Sequence, residues 1–194
     1  MKTFELKGTV RKELGKKATK AERSSDNVPS VLYGGAANVH FTSTTSDLRK
    51  LIYSPDVFIV NLDIDGTVTK AIVKDLQFHP VTDRVLHIDF LQVSEAKPVV
   101  VEIPVKLTGL AEGVKAGGKL ALEMRKLRVK GIYTNIPEQI VIDVTPLGLG
   151  KSVQVGEVSV ENLEILNAKN AVVAQVKLTR AARGAAAAAA SGKK

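Results

Sequence analysis

Phe4, Leu6, Gly8 and Val10 alternate with Glu5, Lys7 and Thr9 at the start of the chain, the two-residue period of a half-buried strand. The pattern then breaks at RKELGKKATKAERSSDN, residues 11–27, which has many cations and few large apolar groups. Ala18, Thr19, Ala21 and Glu22 permit a short helix there, but no apolar stripe would dock it. A solvated loop fits as well as a helix held by something outside the core. VPSVLYGG, residues 28–35, predicts a short buried strand ended by a Gly-Gly turn. A helix is expected over 45–53, capped by Thr45 or Ser46, with Leu48, Leu51 and Ile52 on one face and Pro55 limiting its extension. Between residues 58 and 80, Asp65-Gly66 separates two apolar runs, a strong hairpin signal, and RVLHIDFLQV at 84–93 adds a third strand.

SEAKP, residues 94–98, is short, polar and ends in proline, which makes it the boundary between a domain over 1–93 and one over 97–180. Beyond it Val99, Val101, Ile103, Val105 and Leu107 alternate with polar residues and with Pro104, whose place in the run predicts an edge strand. Further strands are expected at 125–132, 138–144 and 171–179, with turn-rich stretches at 113–119 and 146–151. The fold class is therefore mostly β with short helices. The chain from 181 to 194 collapses to alanines, glycines and lysines and reads as a disordered basic tail.

A hydrophobic fraction of 44% supports real cores, and a formal charge of +8 points toward an acidic partner. The absence of cysteine excludes disulfides and thiol catalysis. The N-terminus carries no signal-like apolar stretch, and no run approaches the roughly 18 apolar residues of a membrane helix, so a soluble cytoplasmic protein is expected. Charge is uneven along the chain. From Lys2 to Arg23 there are eight basic residues (2, 7, 11, 12, 16, 17, 20, 23) against three acidic ones (5, 13, 22). From Ser24 to Val93 there are five (49, 50, 70, 74, 84) against eight (26, 47, 56, 63, 65, 75, 83, 89). That asymmetry suits a phosphate-contacting arm on a β-scaffold, although a solvated face has the same look.

The two strands over 75–79 and 85–90 place Asp75, Gln77 and His79 on one face and His87 and Asp89 on the face opposite Leu86, Ile88 and Phe90. With a turn over 80–84, His79 lies opposite Val85, Gln77 opposite His87 and Asp75 opposite Asp89, while the apolar sets meet on the core side. The outer face then carries a Gln77–His87–Asp89 patch. Four readings compete. A metal site lacks ligand spacing, and a hydrolase lacks a nucleophile motif. An RNA surface fits the wide, shallow A-form minor groove, and ordinary surface polarity fits equally. Tyr33 suits stacking on a base or a half-buried core position. Aromatics are only 4% of residues, which favours structured RNA over an unpaired strand.

VRKELGKKATKAERSSDNVPSVLYGG, DLQFHP and HIDFLQV together resemble the 5S rRNA-binding L-twenty-five family of bacterial large-subunit ribosomal proteins. VEIPVKLTGLAEGVKAGG and NIPEQIVIDVTPLGLGKSV resemble the second domain of its two-domain CTC, or general stress protein, subfamily. The resemblance implies an N-terminal six-stranded β-barrel on the loop E region of 5S rRNA, a β-roll-like C-terminal domain and no enzyme activity, metal, cofactor, membrane or small-molecule substrate. It implies 5S rRNA, the large subunit and neighbouring ribosomal proteins as partners, with a transient stress or assembly factor as the alternative role. By that resemblance Arg11, Lys16, Lys20 and Arg23 hold phosphates and groove edges from a basic helix, and Tyr33, Gln77, His87 and Asp89 position the RNA or read bases. The chain departs from the family at Thr19-Lys20-Ala21-Glu22-Arg23, where a Ser-Arg-Arg-Leu-Arg run is common. Lysine lacks arginine's fork, and Glu22 places a negative charge in the helix.

Overall fold

The computed structural model of the chain describes residues 1–179; the expected tail at 181–194 lies outside the described residues. Two compact units are present, the first formed by Met1–Val99 with Ile132–Ile136 and the second by Val100–Gly131 with the chain from Pro137 onward.

In the first unit the elements run β1 (Lys2–Val10), α1 (Lys16–Ser24), β2 (Asn27–Tyr33), β3 (Val39–Thr44), α2 (Thr45–Ile52), β4 (Phe58–Ile64), β5 (Thr67–Phe78) and β6 (Val85–Gln92). The six strands close into a barrel in the order β1-β3-β2-β6-β5-β4. The pairs β1–β4 and β2–β6 are parallel and the others antiparallel, so no strand edge is left along the closed wall. Leu6, Val28, Phe41, Val60, Leu62, Ala71, Ile88 and Phe90 form the core, joined by Leu48 and Leu51 from α2. Gly8 takes an inward position of β1 because Phe41 needs the space: a Cβ there would lie 2.6 Å from the Phe41 ring. The β4–β5 turn has positive φ at both Asp65 (48°) and Gly66 (87°), as a tight two-residue hairpin with the twist of its strands requires.

Four details differ from the sequence expectation. β3 carries no clear alternation because Phe41, Thr42 and Ser43 are all buried, so its polar residues hide a strand covered on both faces. The cap of α2 is Thr44, one residue before the expected Thr45 or Ser46, and its hydroxyl accepts from the Asp47 amide. On β5–β6, Gln77 faces His87 and Asp75 faces Asp89 as the period demands, but Phe78 rather than His79 faces Val85. The step from Gln77–His87 to Phe78–Val85 leaves Leu86 as the extra residue of a bulge. Val85 is therefore buried in place of Leu86, which is half-buried, and Phe78 is 41% exposed instead of joining the core.

The second unit contains β7 (Val99–Thr108), α3 (Glu112–Lys115), β8 (Lys119–Leu122), β9 (Lys126–Gly131), β10 (Ile140–Asp143), β11 (Ser152–Gln154), β12 (Glu164–Ile165) and β13 (Val172–Lys177). They form a four-stranded sheet, β10-β7-β9-β12, and a three-stranded sheet, β11-β13-β8. β7 is thus an inner strand, contrary to the edge position expected from Pro104. Its ladder with β10 runs only from Val105 to Thr108, so the proline sits just before that ladder, where its missing N–H removes no bond to β10. Ala111, Val144, Leu147 and Val176 make a small core. The cations Arg128, Lys130 and Lys177 are matched by Glu102, Glu164 and Glu123 at 3.7, 3.6 and 2.7 Å.

Gly8→Ala is expected to destabilise the protein by about 1–3 kcal/mol, the usual cost of overpacking a filled core. Urea unfolding measures it. Restoration of most of that stability in Gly8→Ala/Phe41→Leu would assign the cost to the Phe41 ring, and an unchanged midpoint in the single variant would refute it.

Candidate nucleic-acid interface

The basic segment is a helix. α1 begins after Gly15, whose φ of 111° suits glycine, and no side chain caps its first amides. Thr19 secures the start by giving both its amide (3.0 Å) and its hydroxyl (2.8 Å) to the Gly15 carbonyl. The first turn contains Lys16 and Lys17 and no acidic residue, so positive charge stands against the positive end of the helix dipole. An anion near this turn would relieve that repulsion. No residue of α1 is buried. Ala18, Thr19, Glu22 and Arg23 form its half-buried side, while Lys16, Lys17, Lys20, Ala21 and Ser24 are exposed.

Polar tethers hold the inner side. Arg11 donates from Nη2 to the Thr19 hydroxyl at 3.1 Å, and Asn27 donates to the Glu22 carboxylate at 2.9 Å. Arg23 forks the carbonyl of Leu86, with Nε at 3.1 Å and Nη2 at 2.9 Å. This carbonyl belongs to the extra residue of the β6 bulge, so the bulge supplies the acceptor. The tethers change the expected effect of Glu22: its carboxylate is turned to Asn27 on the docked side, away from the exposed lysines. Arg11 and Arg23, grouped with the lysines by the resemblance, are both engaged by the protein. Lys17 shares the face of Lys20 three residues on, a placement that only the helix reveals. A groove beside the helix is lined by Thr9, Arg11, Lys12, Ala18, Ala21 and Thr42, among others.

Leu86 is followed directly by His87, so the C-terminal turn of α1 meets the sheet patch. On the outer face His87 Nδ1 lies 2.8 Å from Asp89 Oδ1. Donation from Nδ1–H to that carboxylate leaves Nε2 facing other partners. Gln77, opposite His87, and Asp75, opposite Asp89, are both exposed. Tyr33 comes from β2, where Val31 pairs with Asp89 and Tyr33 with Leu91. Partial burial raises the pKa of its phenol, and the negative charges of Asp89 and Asp75 push it further up. The hydroxyl therefore stays protonated and available as a donor at neutral pH. Tyr33, Gln77, His87 and Asp89 thus share one region, with the α1 end beside it. The exposed His40 pairs across β3 with Val31, in the same cross-strand row as Asp89 and Asp75.

His79 does different work. Its Nδ1 accepts from the amides of Val81 and Thr82, both at 3.3 Å, and so shapes the turn between β5 and β6. Among the described residues no three His, Asp or Glu groups gather as a metal site, and no helix is long and apolar enough to cross a membrane.

Comparison with known proteins bears out the family expected from the sequence. The Ribosomal L25p family matches residues 6–90, and the C-terminal domain of ribosomal protein TL5 matches residues 98–180. The curated protein named large ribosomal subunit protein bL25 of Phocaeicola vulgatus is 59% identical over 188 residues, covering 93% of this chain and 95% of its own. That of Porphyromonas gingivalis is 62% identical over 183 residues, with 93% and 95% covered. The one from Azobacteroides pseudotrichonymphae is 60% identical over 181 residues, with 93% and 96% covered. The chain belongs to the bL25 family of ribosomal proteins, which are not enzymes, and carries both the L25p segment and the TL5-type C-terminal segment.

Proposed function

We propose that this protein is a structural component of the large ribosomal subunit, located on the cytoplasmic ribosome, and that its first unit binds 5S rRNA at the loop E region. The observation that carries this reading is the meeting of two surfaces at Leu86–His87. One is an exposed lysine face that makes no ion pair among the described residues, and the other is a hydrogen-bonding sheet patch. Membership of the bL25 family supports it.

The two surfaces divide the work. Lys16, Lys17 and Lys20 supply mobile point charges to phosphates along the groove edges. Their exposure keeps the ammonium groups hydrated before binding, so little desolvation opposes the contact. The patch offers directional groups: the Gln77 amide donates and accepts, His87 Nε2 and the Tyr33 hydroxyl reach outward, and Asp89 accepts from a 2′-hydroxyl or a base amino group. A carboxylate pair beside a polyanion is repulsive unless such donors meet it, so Asp75 and Asp89 discriminate against RNA that lacks them. Arg11 and Arg23 act on the same interface while also fastening the helix. In the second unit Arg128, Lys130 and Lys177 are paired with carboxylates, which lowers the attraction of those three cations for phosphate.

Replacing Lys16, Lys17 and Lys20 together by alanine should weaken 5S rRNA binding and flatten its salt dependence by about two units of log–log slope, at roughly 0.7–0.9 per phosphate contact. Filter binding across a salt series reads the slope; a parallel line displaced only in affinity would remove these lysines from the phosphate contacts. His87→Ala or Asp89→Ala should shrink the preference for intact over altered loop E by about 1–3 kcal/mol, taking the scale of base readout in DNA. Equal weakening on both RNAs would show a patch that positions without reading. Sedimentation at moderate salt separates the roles in the cell. Co-migration with mature large subunits is expected, whereas confinement to precursor particles would make the protein an assembly factor.

A further inference from the structure

We infer that Arg23 is a positioning residue: its fork on the Leu86 carbonyl latches the basic helix to the barrel before RNA arrives, so that lysines and sheet patch form one prepared surface. The inference rests on the RNA-binding reading and reassigns a residue that the resemblance places on phosphates.

Hydrophobic burial cannot hold α1, since none of its residues is buried. Nine residues are also too few for a helix to persist alone in water, and Lys16 and Lys17 oppose its dipole. Stability must come from the tethers. The tether from Arg11 holds the middle of the helix through a neutral hydroxyl, and that from Asn27 joins residues five apart in sequence, so neither reaches β6. Arg23 is the side chain that ties the helix to β6, across 63 residues of sequence. It does so with two charge-assisted bonds to one oxygen. The acceptor is available because Leu86 is the extra residue of the bulge and has no partner of its own on β5. A regular β-ladder without that extra residue would not offer this position. The bulge therefore has a use: it interrupts the regular pairing of β6 one residue before His87 and turns a carbonyl to the helix. Latch and patch lie on consecutive residues, so movement of the helix end is felt at His87.

Preordering lowers the entropy cost of binding, and this predicts how removing the fork differs from removing a phosphate contact. Hydrogen exchange on the free, full-length protein is compared for the native chain, Arg23→Met, Arg23→Lys and Lys20→Met, together with 5S rRNA affinity over a salt series. Arg23→Met should raise exchange of the α1 amides about tenfold or more, the scale of one charge-assisted bond, while the β4 and β5 amides keep their protection. Arg23→Lys, which keeps the charge but not the fork, should show exchange between that of Arg23→Met and the native chain, and should bind more weakly with an unchanged salt slope. Lys20→Met should do the reverse, flattening the slope by nearly one unit and leaving α1 exchange as it is. Unaltered α1 exchange in Arg23→Met would overturn the latch. Native affinity in Arg23→Lys, together with a salt slope in Arg23→Met as flat as that of Lys20→Met, would return Arg23 to the phosphates. If the native chain fails to bind 5S rRNA, the functional reading falls and the RNA role of the latch falls with it, even where exchange shows the fork holding the helix.

Discussion

A nine-residue helix with no buried side chain has to be held on its scaffold by directed polar bonds, and in this protein the two-pronged bond from Arg23 to the Leu86 carbonyl is the one that reaches β6. The closed barrel makes that bond possible. Closure removes strand edges and fixes the register of β5 against β6, and within that register Lys74 on β5 and Leu86 on β6 are extra residues left out of the ladder. Core packing enforces the same arrangement, because Val85, Ile88 and Phe90 can all point inward only if the alternation skips one residue at Leu86. Sequence, bulge, helix and patch are thus links in one chain of dependence. A change at the bulge would act on the cationic surface and on the hydrogen-bonding surface together.

Electrostatics divides the molecule in a way that net charge hides. A total of +8 is an average over cations in very different states. Lys16, Lys17 and Lys20 stand in solvent on one helix face, and the first two sit where their own helix dipole disfavours them. Arg11 and Arg23 are engaged in holding that helix, and Arg128, Lys130 and Lys177 are matched by carboxylates. The arginines serve where a planar fork is needed and the lysines where a hydrated charge suffices.

Much of the barrel was legible in the sequence because its strands obey the two-residue period and its hairpin carries Asp65-Gly66. The facing of Gln77 with His87 and of Asp75 with Asp89 followed from the same period. β3 was not legible, since burial of Thr42 and Ser43 beside Phe41 erases the contrast between faces. Nor was the bulge: one inserted residue leaves the local pattern of VLHIDF intact and shows itself only when the partner strand is present. The helix over Lys16–Ser24 could not be chosen over a loop, because what holds it is long-range hydrogen bonding and not an apolar stripe. The tethers of Arg11 and Arg23 and the place of Lys17 beside Lys20 were hidden for the same reason, while the grouping of Tyr33 with Asp89 needed the parallel pairing of β2 with β6.

The central claim is that the lysine face and the Gln77–His87–Asp89 patch together recognise one structured region of 5S rRNA. Hydroxyl-radical footprinting of free 5S rRNA with the purified protein tests it most directly. The account predicts a compact footprint on the two strands that border the loop E minor groove, undiminished by a large excess of unrelated duplex RNA. Protection spread along the whole molecule, or none at all, would contradict it.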